Sequence, residues 1–495
     1  MTTAQATQAR ETTASDDRLD RSLVALGTVV VLGTIMSILD ATIVNVATRT
    51  LGEDFHASIS TIQWVLTGYL LGFTAVIPVT GWASQRFGAK RVWIAALLLF
   101  LGGSALAGAA WSVGTLIAFR VLQGLGGGMI VPVGQTILAQ AAGPQRMARV
   151  MSFIGLPMMI GSVAGPVLGG LIVSSVSWRW IFFLNLPIGA VAVLLAFRLL
   201  PSSPARPDAR LDLRGLVLLC SGVAVLVYGL SVAGTRGFGA TRTWVYLAGG
   251  LALVTLYVAH AVRQGGKALI DVSLFRHRGF AASAATNLVV AVALFGVLVL
   301  LPLYWQVVRG QGALATGLLL VPQAVGAAAA MPLAGKASDR VGAGVVVPVG
   351  VVLALLGTAA YTQVGAHSSY PVLAGGLFVI GLGLGTTIIP SMAAAYQDLP
   401  REAIGRAASA INTVQRLGAS IGTTILAVAL QHDISVRAPG LGRAALGPLS
   451  PRARAHVAPA LAGAFGAAFW LALVLAAAAL VPALLLPRTR ARKEH

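Results

Sequence analysis

Charge is scarce in this chain, and negative charge most of all. Only 10% of the 495 residues are charged, and 15 are Asp or Glu, where a soluble chain spends about a quarter of its residues on charge. So few charges exclude a soluble globular enzyme, and 57% hydrophobic residues exclude a disordered chain. Cysteine is nearly absent. Cys220 stands alone in an apolar run, so neither an internal disulfide nor a thiolate metal cluster can form. The seven histidines (56, 260, 277, 367, 432, 456 and 495) are dispersed, none with Cys, Asp or Glu at metal spacing. No Gly-x4-Gly-Lys-Ser/Thr phosphate loop occurs, which excludes ATP as a direct energy source. No enzyme constellation, metal site or cofactor is expected.

Long apolar runs fill the space. A run of about 20 residues crosses a ~30 Å hydrocarbon core as a helix, and fourteen are readable: 23–47, 61–80, 92–111, 115–138, 150–174, 180–197, 215–234, 244–262, 280–308, 314–335, 345–363, 371–396, 407–431 and 459–486. The fold class is therefore all-α, a polytopic membrane protein. Residues 1–20 form a polar tail. The first span follows Arg18 and Arg21 without a small-residue cleavage site, as in a retained anchor. With a cytoplasmic N-terminus, cytoplasmic segments hold 24 Lys and Arg, outer loops nine and spans two. That asymmetry puts both termini in the cytoplasm, and the Ala-, Gly- and Arg-rich composition suggests a high-GC bacterium, hence a bacterial plasma membrane. The net charge of +20 lies in short loops with no aromatic-studded basic stripe, so nucleic acid is not an expected partner.

A repeat underlies the spans. Gly81-Trp-Ala-Ser-Gln-Arg-Phe-Gly88 recurs as Gly335-Lys-Ala-Ser-Asp-Arg-Val-Gly342, 254 residues on. Gly124-Leu-Gly-x-Gly128 recurs as Gly381-Leu-Gly-x-Gly385, and Arg149, Ser152, Gly161 and Gly165 recur as Arg406, Ser409, Gly418 and Gly422, both 257 residues on. The expected organisation is a cytoplasmic tail (1–20), a six-helix bundle (21–200), a linker with inserted helices 7 and 8 (201–278), a pseudo-symmetric six-helix bundle (279–487) and a second tail (488–495). Two repeated bundles around a midplane site are the architecture of a rocking transporter.

Among the acids only Asp40 falls inside a span. A carboxylate in hydrocarbon is costly unless it pairs, faces water or takes a proton, and the last is what a proton carrier needs. A static ion pair is the plain alternative. Arg120 lies within about a turn of the same depth, so the two can form a switchable pair if their faces match. Arg416 is the other intraspan cation, placed to meet an anionic substrate or lipid headgroup, or to cap a backbone break. Trp64, Gln123, Asn287, Tyr304, Gln306, Asn412 and Gln415 are candidate substrate-cavity residues by depth and polarity, with packing as the plain reading of each.

Gly161, Gly165, Pro166, Gly169 and Gly170 combine four-residue small spacing, which allows close helix approach, with a helix-bending proline. Together they form a candidate gating hinge. The turn with Gly81, Gln85, Arg86, Gly88 and Arg91 is short and basic, suited to helix carbonyls or anionic lipid. Its repeat at Asp339 and Arg340 points to a contact between bundles.

These residues resemble the fourteen-helix drug:proton antiporter family of the major facilitator superfamily. Leu39-Asp-Ala-Thr-Ile-Val-Asn-Val-Ala47 is similar to its first-helix signature, Gln63-Trp-Val-Leu-Thr-Gly-Tyr69 with Pro78 and Gly81 to its second, and Arg120-Val-Leu-Gln-Gly124 to its fourth-helix motif. Gly161–Gly170 resembles the antiporter motif, and Trp178-Arg-Trp-Ile-Phe-Phe-Leu-Asn-Leu-Pro187 is also typical. Two departures stand out: Gln85 replaces an aspartate of the loop motif, and Thr48-Arg49 replaces the usual Leu-Pro at the outer end of helix 1. The resemblance implies proton-coupled export, with Arg120 linked to proton transfer and a hydrophobic or cationic amphipathic drug or antibiotic as cargo. Protons and membrane lipid would be the other partners. Rival readings are a lipid or metabolite exporter on the same scaffold and, more distantly, a non-transporting receptor.

Overall fold

The computed structural model describes residues 21–142, 150–151, 161, 164–165, 168–202, 205–236, 239–397, 399–438 and 451–488. The helices, in chain order, are α1 (Arg21–Asp54), α2 (Ile59–Val76), α3 (Val79–Phe87), α4 (Ala89–Gly108), α5 (Val113–Ala142), α6 (Trp180–Phe183), α7 (Asn185–Leu199), α8 (Leu213–Arg236), α9 (Thr241–Gln264) and α10 (Arg278–Leu303). They continue as α11 (Ala313–Leu319), α12 (Val321–Val341), α13 (Ala343–Thr362), α14 (Tyr370–Gln397), α15 (Ile404–Arg437), α16 (Pro451–Ala478) and α17 (Leu480–Leu484).

Eleven helices among the described residues are long and apolar enough to cross a membrane, or twelve with the bent pair α2 and α3 as one span. The expected count of fourteen is thus met only in part. Helix α8 is 24 residues long and carries the apolar stretch Leu213–Leu226. The expected span 150–174 is described only in pieces. The span read as 61–80 is not one straight helix: α2 and α3 meet at 56°. Pro78 lies at that break, since its ring excludes the preceding turn and it has no N–H to donate. Thr48 and Arg49 do not end the first helix, which runs on to Asp54.

The sequence repeat has a geometric counterpart. Gly88 and Gly342 sit at φ of 85° and 86° and start α4 and α13, a conformation side chains resist. A Cβ on Gly124 would strike the Tyr69 carbonyl and one on Gly128 the Phe73 carbonyl. Correspondingly, Gly381 lies against the Gln323 carbonyl and Gly385 against that of Ala327. Backbone thus meets backbone in α2/α5 and again in α12/α14, the van der Waals mode by which helices associate without water. On its other side α5 approaches α4, where a Cβ on Gly103 would lie 2.7 Å from Gln123 Cα.

The N-terminal and C-terminal helix sets meet through α15, which packs on α3 and α5. Ser409 donates to the carbonyls of Ile77 and Pro78, at 2.9 and 3.1 Å, and Asn412 donates to Gln135 Oε1 at 2.6 Å. These contacts gather at the end of the molecule that carries the Gly88 turn. Helices α8 and α9 pair with each other, and α8 also packs on α15.

Candidate functional site

Asp40 lies mid-way along α1, and its side chain has 0% exposure. The close approach of α5 brings Arg120, also fully buried, to it: Nη1 donates to Asp40 Oδ2 at 2.5 Å. The other carboxylate oxygen accepts from Gln123 Nε2 at 2.8 Å and from Asn185 Nδ2, at the start of α7, at 3.0 Å. Asn185 also donates to Ser104 Oγ, whose hydroxyl donates to the Phe182 carbonyl. One acid of α1 is therefore held by two further helices, α5 and α7.

Arg120 is held as closely. Nη1 also donates to Gln123 Oε1 at 2.7 Å, and Nε reaches the Val65 carbonyl at 3.4 Å. The guanidinium carbon sits 4.1 Å from the Tyr69 ring centroid and 5.6 Å from that of Phe182. Such aromatic faces stabilise a desolvated cation. Nη2 makes no hydrogen bond among the described residues, so the pair is single-pronged rather than a fork. Tyr69 is itself anchored by donating to the Ser37 carbonyl at 3.3 Å.

The small residues of the fifth-span motif face the same stretch of α1. Gly161 lies against Ile38, Gly165 against Thr42 and Gly169 against Ile43, whereas nothing lies within 4 Å of a Cβ on Gly170. Pro166 falls outside the described residues. Close packing is seen here; the hinge rests on the sequence.

The residues expected to line a substrate cavity are placed in different surroundings. Gln123 is a ligand of the Asp40 carboxylate, sealed from solvent. Asn287 is buried and donates to Ser283 O and Ser391 Oγ, tying α10 to α14. Tyr304 is packed against Trp305 and Phe465 and donates to the Gly365 carbonyl. Asn412 belongs to the contact between helix sets. In this structure all four are packed positions, and in each case polar partners within reach offset burial. Trp64, at 51% exposed, and Gln306 remain accessible, and Gln415 and Arg416 partly so. The Arg416 guanidinium lies 4.4 Å from the Phe73 ring centroid, and no carboxylate among the described residues pairs with it.

At the sealed end, Gly81 fits against Gly405, Arg406 and Ser409 of α15. Gln85 donates to the Glu402 carbonyl at 3.3 Å, a contact that an ionised aspartate at this position could not make. A cation of α15, Arg406, pairs at 2.7 Å with Asp271 of the linker. Arg86 is partly buried and Arg91 exposed, while Lys90 caps the end of α7 through the Phe197 and Leu200 carbonyls. Gly342 and Gly344 pack instead on Pro487 and Arg488, with Asp339 partly buried and Arg340 exposed nearby.

Sequence reading missed Asn185, Ser104, Tyr69, Gln135 and the Asp271–Arg406 pair. Asn185 carried a signal, an amide inside an apolar run; Ser104 carried none, since lone serines in membrane helices commonly bond their own backbone. Among the described residues no group of His, Cys, Asp and Glu is arranged to hold a metal.

Comparison with known proteins points one way. Residues 30–423 match the family model described as the Major Facilitator Superfamily. The multidrug resistance protein B homolog of Mycobacterium tuberculosis is 38% identical over 496 residues, covering 96% of this chain and 92% of that protein. The probable actinorhodin transporter of Streptomyces coelicolor is 33% identical over 421 residues, covering 82% and 72% respectively. The human organic anion transporter MFSD10 has the same fold, with a TM-score of 0.62 at 18% identity, covering 92% of this chain and 100% of that structure.

Proposed function

The chain belongs to the Major Facilitator Superfamily, a membrane transporter and not an enzyme, and from that premise we propose that it is a proton-coupled exporter of drugs or antibiotics. The relatives' names, multidrug resistance protein B homolog and probable actinorhodin transporter, support that cargo class. The observation that carries the coupling is the Asp40–Arg120 pair, buried on both sides and completed by Gln123 and Asn185.

A proton arriving from outside neutralises Asp40 and removes its Coulomb hold on Arg120. Arg120 keeps the Gln123 oxygen and the Tyr69 face but loses its counter-charge. Breaking a buried pair is worth ~3–5 kcal/mol, enough to tip a two-state equilibrium by about two to four orders of magnitude. The two helix sets then act as bundles that rock about the midplane. The closed Ser409/Asn412 end is cytoplasmic by the arginine and lysine asymmetry, so the state described is the one closed to the cytoplasm. Deprotonation accompanies return. Gly161, Gly165 and Gly169 let the fifth span slide on α1 as this happens, with Pro166 as the bend.

Transport into everted membrane vesicles tests the reading. An acidified interior drives uptake of a hydrophobic dye by the wild type and not by Asp40→Asn; equal uptake by both removes Asp40 from the coupling.

One observation favours a second cargo. Both Asp40 oxygens are occupied, whereas Arg416 has a guanidinium on Phe73 and no carboxylate partner among the described residues. An acidic amphiphile, as in the lipid or metabolite exporter reading, suits that cation. Arg416→Gln then lowers export of acidic compounds and leaves neutral dyes unaffected.

A further inference from the structure

Helices α8 and α9 have no counterpart in the repeat, yet their bases enclose an open cavity of about 600 Å³. Three parts of the chain meet there: Trp82 and Gln85 of α3, the 208–214 segment with the end of α9, and Arg406 of α15. The site is fastened on two sides. Trp82 Nε1 donates to the Ala209 carbonyl at 3.1 Å, and the Arg206 amide donates to the Gln85 carbonyl at 2.7 Å.

Its charges do not cancel. Asp212 is consumed by His260 Nε2 at 2.8 Å and by the amides of Gly215 and Leu269 at 2.8 and 3.3 Å. Arg406 is paired with Asp271. That leaves Arg210, Arg214 and Lys267 lining the cavity, all exposed and none in an ion pair among the described residues, three cations against the carboxylates of Asp208 and Asp212. Next to them the helices turn apolar surface outward: Leu213, Val217 and Val262 are each more than 60% exposed. A cationic pocket continuous with an apolar helix face at the end of a span is suited to a ligand with a phosphate head and hydrocarbon tails.

We propose that this cavity seats the headgroup of an anionic phospholipid, with Arg210, Arg214 and Lys267 around the phosphate and the acyl chains along α8 and α9. A headgroup there touches α3 and α15 together, and so braces the end at which the two helix sets close. The inserted pair thereby acquires a role as a lipid-binding brace.

Native mass spectrometry of the detergent-purified full chain, titrated with phosphatidylglycerol or phosphatidylcholine, tests this without any transport assay. The wild type retains phosphatidylglycerol preferentially. The triple variant Arg210→Gln/Arg214→Gln/Lys267→Gln binds it about a hundredfold more weakly, from roughly fivefold per cation near a membrane surface. The charge-retaining Arg210→Lys/Arg214→Lys stays within about threefold of the wild type, since an ammonium keeps the same charge near the phosphate. Should the triple variant fail to elute as the wild type does, Lys267→Glu alone serves, weakening binding more than tenfold by reversing one charge. Equal retention of the two lipids, or unchanged binding in these variants, overturns the proposal. Glycerol phosphate at the same concentration leaves the lipid in place; its displacement of the lipid would instead identify a soluble phosphate ligand and overturn the lipid assignment.

Discussion

Asp40 and Arg120 have no access to water, so removing either leaves the other as an uncompensated charge in a place where none can be solvated. Arg120→Ala is expected to cost ~3–5 kcal/mol of stability. The double variant Asp40→Asn/Arg120→Gln should cost well under the sum of the single changes, because its neutral amides satisfy each other. Thermal unfolding of the wild type, Asp40→Asn, Arg120→Gln and the double variant in one detergent checks this; strict additivity would mean the contact carries no energy. Asn185→Ala removes a donor from an ionised carboxylate, worth ~1.5–3 kcal/mol, and leaves Ser104 with one partner fewer. The isolation of Asp40 was legible in the sequence because a charge in an apolar run has so few physical excuses. Its partner was legible only as a depth, since helical phase relative to a neighbour depends on how two helices pack.

At the scale of elements, glycine decides how closely helices lie. Gly124 faces the Tyr69 carbonyl with no room for a methyl group, so Gly124→Ala must push α5 from α2 and carry Arg120 with it. A loss of ~1–3 kcal/mol is expected from such overpacking, together with reduced transport. Gly170→Ala meets nothing within 4 Å and should be neutral on both measures; comparing the two melting temperatures tests the assignment. The foot of the inserted pair has its own tie. Partial burial pushes the Asp212 carboxyl up, but the Gly215 amide, His260 and the Leu269 amide outweigh it and hold it below the ordinary value of 3.8. A carboxyl lowered in the folded state stabilises above its unfolded value and loses that contribution as pH falls through the folded one. Hydrogen exchange at Leu269 should therefore be flat in its protection between pH 5 and 8. Asp212→Ala, costing ~1 kcal/mol as lost helix caps do, should raise exchange there throughout. The break at Pro78 was open to reading as a feature of the motif, yet the 56° angle was not, because a proline permits a bend whose size the neighbours set.

For the molecule as a whole, closure rests on a few polar contacts between sequence-distant helices. Asn412 and Gln135 lie 277 positions apart and meet at 2.6 Å. Gln135→Cys/Asn412→Cys, in a Cys220→Ser background, should react with a short cleavable crosslinker and arrest transport, with recovery on reduction. Full transport in the crosslinked protein would show that this end does not need to open. The repeat announced two related helix sets, and the matched φ values at Gly88 and Gly342 fit that reading.

Composition alone determined that this chain lives in a membrane, because hydrocarbon tolerates few charges, and periodic glycines determined which helices could touch, because only a missing side chain lets backbones meet. Three things waited for the tertiary structure: that Asn185 completes the carboxylate's shell, that Gln123 and Asn412 find polar partners on neighbouring helices, and that Asp271 supplies Arg406 with its counter-charge. Each depends on the rotation and depth of one helix against another. No single helix encodes those quantities; they emerge only when all the packing contacts are satisfied together.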